Sequence, residues 1–186
     1  MSGTIFSSEE SVSKKKNGFH LNLAFQSLEE IPADIIRKHA CRTTSIDLSY
    51  NNFKELHSFY DFQRLHTITI DHNALGCHVA FPVLEKLRLI SINANQINNL
   101  SIFITRLSQD VPKLKYLSMM KNEAAPSYFN GGTKAQNQDY RHFVISHFAY
   151  LESLDGESVT EQEKSDAYEI YGRRWRKKKI APSRAL

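Results

Sequence analysis

Ile46-Asp47-Leu48-Ser49-Tyr50-Asn51-Asn52-Phe53-Lys54-Glu55-Leu56 sets apolar side chains at 46, 48, 53 and 56 around an asparagine at 51. Taken once, it is a short strand running into a turn, with Ile46 and Leu48 on one face because strand side chains alternate. It returns as Ile68-Thr69-Ile70-Asp71-His72-Asn73-Ala74-Leu75 and again as Ile90-Ser91-Ile92-Asn93-Ala94-Asn95-Gln96-Ile97. The asparagines at 51, 73 and 95 are 22 residues apart. A unit this short cannot bury its apolar face alone, so a fixed period in the low twenties means units stacked into a solenoid.

The pattern L-x-L-x-x-N-x-L predicts an α/β leucine-rich repeat solenoid, a right-handed arc. Parallel strands line its concave face, short helices its convex face, and a cap closes its C-terminal end. A weaker unit precedes the three clear ones, at Leu21-Asn22-Leu23-Ala24-Phe25-Gln26-Ser27-Leu28, with Gln26 at the asparagine place. Terminal repeats depart from consensus because they shield the end of the core. Pro32 suits a helix start, and Ala33 to His39 reads as a convex helix. Leu100 to Leu107 shifts to helical spacing and ends before Pro112. A fifth unit, Leu114 to Ala124, holds Asn122, 27 residues after Asn95. Each asparagine is expected to bond backbone groups of the neighbouring turn, forming a ladder.

Residues 1–17, polar with Lys14-Lys15-Lys16, read as disordered. Residues 18–171 form the repeat domain, its cap at 139–171, and residues 172–186 a basic tail. Ala125 to Gln138, with Pro126 and Gly131-Gly132, reads as an exposed loop. Thr160-Glu161-Gln162-Glu163 matches a capping box, which predicts a helix from Glu161 to about Tyr171.

The chain of 186 residues carries a formal net charge of +4, but unevenly. Seven basic residues and no acid fall in 172–186; without them, 17 basic residues face 20 acidic ones, a body of −3. Such asymmetry suggests a terminal arm with its own partner. Cys41 and Cys77 make neither a disulfide framework nor a metal cluster. The first residues lack the apolar core of a secretory signal, and no apolar run approaches membrane-spanning length. The expectation is a monomer in a reducing compartment, the cytoplasm or the nucleus.

Tyr140-Arg141-x-Phe143-Val144-Ile145, Leu151-x-x-Leu154-Asp155 and Val159-Thr160-x-x-Glu163 resemble the cap of the short-repeat leucine-rich family. Leu65-His66-Thr67-Ile68-Thr69-Ile70-x-x-Asn73 and Leu114-x-Tyr116-Leu117-Ser118 extend the likeness over about residues 43 to 167. That family holds phosphatase-regulating repeat proteins, a spliceosomal A-prime branch and a branch tied to melanocyte differentiation. The last implies an adaptor in vesicle trafficking or organelle biogenesis, working through a small GTPase of the Rab class. The spliceosomal branch implies a ribonucleoprotein component that grips an RNA-binding protein. A phosphatase-regulatory or cytoskeletal scaffold is the third implication.

The register turns four rows of side chains toward the concave wall: His20, Ser45, Thr67, Leu89 and Tyr116; Asn22, Asp47, Thr69, Ser91 and Ser118; Ala24, Ser49, Asp71, Asn93 and Met120; Phe25, Tyr50, His72, Ala94 and Lys121. Small polar residues edged by aromatics admit a partner helix or peptide, and solenoids bind through this face. Tyr50, Asp71, His72, Leu89, Asn93 and Tyr116 are the expected partner-binding residues. The tail Arg173, Arg174, Trp175, Arg176, Lys177, Lys178 and Lys179 suits an import receptor, nucleic acid with Trp175 stacked on a base, or anionic lipid. His66, His72 and His78 recur six apart, on different parts of one unit and without a carboxylate at ligand spacing, so no metal or other cofactor is expected. No phosphate loop, G-x-S-x-G elbow or H-E-x-x-H appears, so the chain reads as non-enzymatic.

Overall fold

One strand per unit stacks against the next, so chain order and sheet order coincide. The computed structural model describes residues 11–15, 18–127 and 131–172. Its sheet runs in the order β1 (Ser11–Lys15), β2 (Gly18–Asn22), β3 (Thr43–Asp47), β4 (Thr67–Thr69), β5 (Leu89–Ser91), β6 (Tyr116–Ser118), β7 (Ser153–Leu154) and β8 (Glu157–Ser158). Neighbours from β2 to β7 are parallel, whereas β1 on β2 and β8 on β7 are antiparallel. A single antiparallel strand thus covers each end of the parallel stack, where unpaired backbone would otherwise face solvent.

The period sets the core. Leu21, Ile46, Ile68, Ile90, Leu117 and Leu154 form one buried column, and Leu23, Leu48, Ile70, Ile92 and Met119 a second. Phe53, Leu75 and Ile97 add a third beyond the turn. On the convex side, α1 (Ala33–His39) supplies Ile35, a 3-10 turn at His57–Asp61 supplies Phe59, and α2 (Leu100–Asp110) supplies Phe103, Ile104 and Leu107. Asn99 caps α2 by accepting from Ile102 N at 3.0 Å.

The asparagine ladder is continuous. Asn51 Oδ1 accepts from Gln26 N and Leu28 N at 3.1 and 2.9 Å, while its Nδ2 donates to Leu23 O and Leu48 O at 2.8 and 2.9 Å. Asn73 accepts from Phe53 N at 2.9 Å, Asn95 from Leu75 N at 3.0 Å and Asn122 from Ile97 N at 3.2 Å. These turns are buried, so each amide satisfies backbone groups that water cannot reach.

Three boundaries differ from the sequence reading. The leader read as disordered contains β1, which pairs residue for residue with β2 from Ser11↔Asn22 to Lys15↔Gly18. At the start of β2, a Cβ on Gly18 (φ +140°) would lie 2.1 Å from Thr44 Oγ1, so that corner needs glycine. The loop read to Gln138 stops at Thr133, which caps α3 (Lys134–His147) in a reciprocal box with Gln136. The final helix begins at the expected Thr160 cap, but α4 (Glu161–Ala167) passes into a π turn at Tyr168–Gly172.

α3 and α4 lock the cap onto the last repeat. Tyr140 Oη donates to Asp155 Oδ2 at 2.6 Å, and Asp155 Oδ1 accepts from Met119 N at 2.8 Å. The buried Arg141 donates from Nε to Glu163 at 2.6 Å and from Nη1 to Leu154 O at 3.2 Å. Burial raises the Tyr140 hydroxyl well above its ordinary value, and the Asp155 charge adds to the shift.

Candidate protein-binding face

The strands deliver the first two rows in the predicted register: His20↔Ser45↔Thr67↔Leu89↔Tyr116, and Asn22↔Asp47↔Thr69↔Ser91↔Ser118. The expected site residues fall into three pairs with different chemistry.

Tyr50 and His72 stack at 4.1 Å between ring centroids with planes 9° apart, and Phe25 continues the stack on Tyr50 at 4.3 Å and 11°. Phe25 is 72% exposed and Tyr50 47%. Their column has left-handed backbone throughout: φ is 61° at Phe25, 57° at Tyr50, 53° at His72, 52° at Ala94 and 59° at Lys121. This region suits glycine or asparagine and penalises bulky residues. Rings are held here against local preference, facing water.

Asp71 and Asn93 also meet, joined by direct hydrogen bonds. Asp71 Oδ1 accepts from Ser91 Oγ at 2.8 Å and Asn93 N at 2.7 Å, and its Oδ2 accepts from Asn93 Nδ2 at 3.2 Å. Ser118 Oγ donates to Asn93 Oδ1 at 2.8 Å. Asp47, in the neighbouring row, instead bonds within its own unit, accepting from Ser49 N and Oγ at 2.9 and 2.7 Å. This polar network holds the strand ends in register. Reversing the charge of Asp71 would therefore disturb the scaffold itself.

Leu89 and Tyr116 are neighbours across β5 and β6. Tyr116, 39% exposed, donates its hydroxyl to Glu152 Oε2 at 2.5 Å, and Lys115 Nζ reaches Glu152 Oε1 at 2.5 Å. Hydrogen bonds from Lys115 and Tyr116 hold the Glu152 carboxyl below its ordinary value. The Lys115 ammonium and Tyr116 hydroxyl rise above theirs, through the same bonds to Glu152. Tyr116 is thus a fixed ring, and further along the same unit Met120 is 46% exposed.

The concave face therefore carries an aromatic edge at its N-terminal half, a polar lattice at its centre, and exposed Tyr116 and Met120 in its last repeat. Phe25, Met120 and Glu152 belong with the expected residues although they stand outside that set. Phe25 and Met120 share its columns, whereas Glu152 has no column to mark it. Arg173, Arg174, Trp175, Arg176, Lys177, Lys178 and Lys179 lie outside the described residues. Among the described residues, no group of three or more His, Cys, Asp or Glu is placed to hold a metal ion. No described helix is long and apolar enough to cross a membrane.

Residues 40–183 match the family model described as Leucine-rich repeat. The chain belongs to the leucine-rich repeat family. It is 31% identical over 119 residues to the human (Homo sapiens) leucine-rich melanocyte differentiation-associated protein, covering 63% of this chain and 60% of that one. The chain thus spans about three fifths of the length of that curated relative. Among solved structures it is similar to one from Drosophila melanogaster, the SNF/U2A' complex, with a TM-score of 0.68 and 18% identity over 91% of this chain and 94% of that one. At that identity the likeness shows the shared fold. The family supports a scaffold for protein interaction.

Proposed function

We propose that the protein is a non-enzymatic adaptor that binds a protein partner along its concave face. The observation that carries this reading is the Phe25–Tyr50–His72 stack on left-handed backbone, with Phe25 and Tyr50 exposed and His72 half-buried. Bulky rings at φ near +60° are unfavourable locally, and their exposure adds nothing to the core, so their gain lies in a contact made from outside. Aromatic side chains are the common anchors of such contacts. With the 31% identity to the melanocyte relative in support, the adaptor acts in vesicle trafficking or organelle biogenesis, with a small GTPase of the Rab class as partner, in the cytoplasm.

A second reading is favoured by the fold shared with the SNF/U2A' complex and by the seven basic residues in 172–186. In it, the arc holds an RNA-binding protein in the nucleus while the tail contacts RNA. The test is affinity capture from cell extract with the wild type, a Phe25→Asn/Tyr50→Asn/Tyr116→Ala variant and a chain ending at residue 171. Loss of the same partners in the triple variant supports the adaptor, and unchanged capture overturns it. A Rab-class GTPase in the lost set supports the first reading, and an RNA-binding protein whose RNA is lost with the tail supports the second.

A further inference from the structure

The left-handed column has five rungs, and the fourth lacks a ring or a long side chain. Phe25, Tyr50 and His72 fill the first three with stacked rings, Ala94 places only a methyl group on the fourth, and Lys121 stands on the fifth. The backbone repeats at each rung. Phe25 N donates to Ser49 O at 3.0 Å, Tyr50 N to Asp71 O at 2.9 Å, His72 N to Asn93 O at 2.9 Å and Ala94 N to Met120 O at 2.8 Å. A ring at the fourth rung would therefore lie on His72 as Tyr50 does, about 4 Å away and nearly parallel, which is the spacing of a stacked pair. Among the described residues, His72 stacks on Tyr50 alone, and Lys121 has no ion-pair partner.

We propose that this rung receives an aromatic side chain from the protein partner, stacked on His72 and covered by the Lys121 ammonium. The inference rests on the adaptor reading and names the chemistry that the partner presents. A ring completes the column at the spacing already set by Phe25, Tyr50 and His72, and a cation over a ring face is attractive. Charge decides against a nucleotide, which would bring phosphates to a wall that carries Asp47 and Asp71 on a body of −3.

The test uses the whole protein with Ala94 labelled at its methyl carbon, titrated with N-acetyltryptophanamide and, separately, with adenosine. The expected result is a saturable ring-current shift of the Ala94 methyl with the indole probe, at about millimolar affinity. Ala94→Tyr fills the rung from within on a backbone that already carries Tyr50, and should abolish probe binding as followed on the His72 ring protons. Lys121→Gln should weaken it about threefold. Absence of a saturable shift, unchanged binding in Ala94→Tyr, or tighter binding of adenosine than of the indole overturns the proposal. Should the wild type capture a partner through Phe25, Tyr50 and Tyr116 while the probe leaves Ala94 untouched, the rung fails and the adaptor reading stands. Should the probe bind while capture ignores those three residues, the adaptor reading fails.

Discussion

Two ladders run the length of the arc one residue apart, and they obey opposite rules. Asn51, Asn73, Asn95 and Asn122 point inward and are buried, each amide bonded to backbone of its own unit and of the unit before. The residue before each, Tyr50, His72, Ala94 and Lys121, shares the same turn in left-handed backbone but faces out. The inner ladder is constant because buried N–H and C=O groups tolerate only a side chain with both a donor and an acceptor. The outer ladder varies from ring to methyl to amine because no core constrains it. One turn thus carries the fold on one residue and, in the adaptor proposed above, partner choice on its neighbour.

The inner ladder should break first. Asn51→Ala removes the acceptor of Gln26 N and Leu28 N together with the donor to Leu23 O, all inside the sheet-to-turn corner. Leaving buried backbone groups unsatisfied costs about 1–3 kcal/mol each, so a loss of about 4 kcal/mol is expected in urea unfolding. A loss under about 1 kcal/mol would mean that the turns, not the amides, hold the units together.

The cap is next. Arg141 is buried against Glu163, with Glu157 at 3.3 Å and the carbonyls of Leu154 and Ser158 also accepting from it. Arg141→Ala should cost about 2–3 kcal/mol, at the low end for a buried pair because the Glu163 side chain is 23% exposed. Hydrogen exchange should rise in the β7–β8 hairpin while β3 and β4 stay protected, since α3 and α4 bear on one end of the stack. Lysine should not rescue it, because it lacks the fork that serves Glu163 and Leu154 O together.

The outer ladder should barely register in stability. Tyr50→Asn removes two stacked neighbours worth about 0.5–1.5 kcal/mol each at most, but relieves a bulky residue of its left-handed backbone at a gain of about 1 kcal/mol. The net change is expected to lie within about 1 kcal/mol of zero, while capture of the partner falls. A large loss of stability would place Tyr50 with Asn51 as scaffold and dissolve the contrast between the ladders.

How much of this was legible follows from the same contrast. The inner ladder and the core columns are written in residue type at a fixed period, so Asn51, Asn73, Asn95, Ile46, Ile68 and Ile90 could be placed from the sequence alone. The register also put Tyr50 beside His72. It could not show that Asp71 and Asn93 are bonded to each other, because an acid facing a groove and an acid holding a lattice look alike in one dimension. Nor could it show the left-handed column, since aromatic residues argue against φ > 0. β1 was missed because an edge strand needs little more than backbone partners, which a polar stretch supplies. The start of α3 was hidden by Asn137-Gln138-Asp139, whose loop-like composition masked the Thr133–Gln136 box.

The smallest expected effect concerns the cap's acid titration, where two carboxyls pull opposite ways. Burial raises Asp155 above its ordinary 3.8, only partly offset by hydrogen bonds from Tyr140 and Met119 N, with Arg141 also lowering it and Glu157 raising it. Its folded value exceeds its unfolded one, so its contribution is present below the unfolded value and fades as pH rises through the folded one. Glu163 is the reverse. Burial raises it, but hydrogen bonds from Arg141 and Thr160 and the Arg141 charge outweigh burial and bring it below its ordinary 4.5. Its contribution is present above that value and fades as pH falls through the folded one. Asp155→Asn removes the first effect while its amide can still accept from Met119 N and donate to Tyr140 Oη. Relative to wild type, the variant should therefore gain stability as pH rises from below 3.8 toward neutrality, whatever constant offset the substitution brings. Urea midpoints measured in parallel across that range give the sign. A difference that is flat, or that falls with rising pH, would show that Asp155 is not held above its unfolded value, and that hydrogen bonds from Tyr140 and Met119 outweigh burial in the cap.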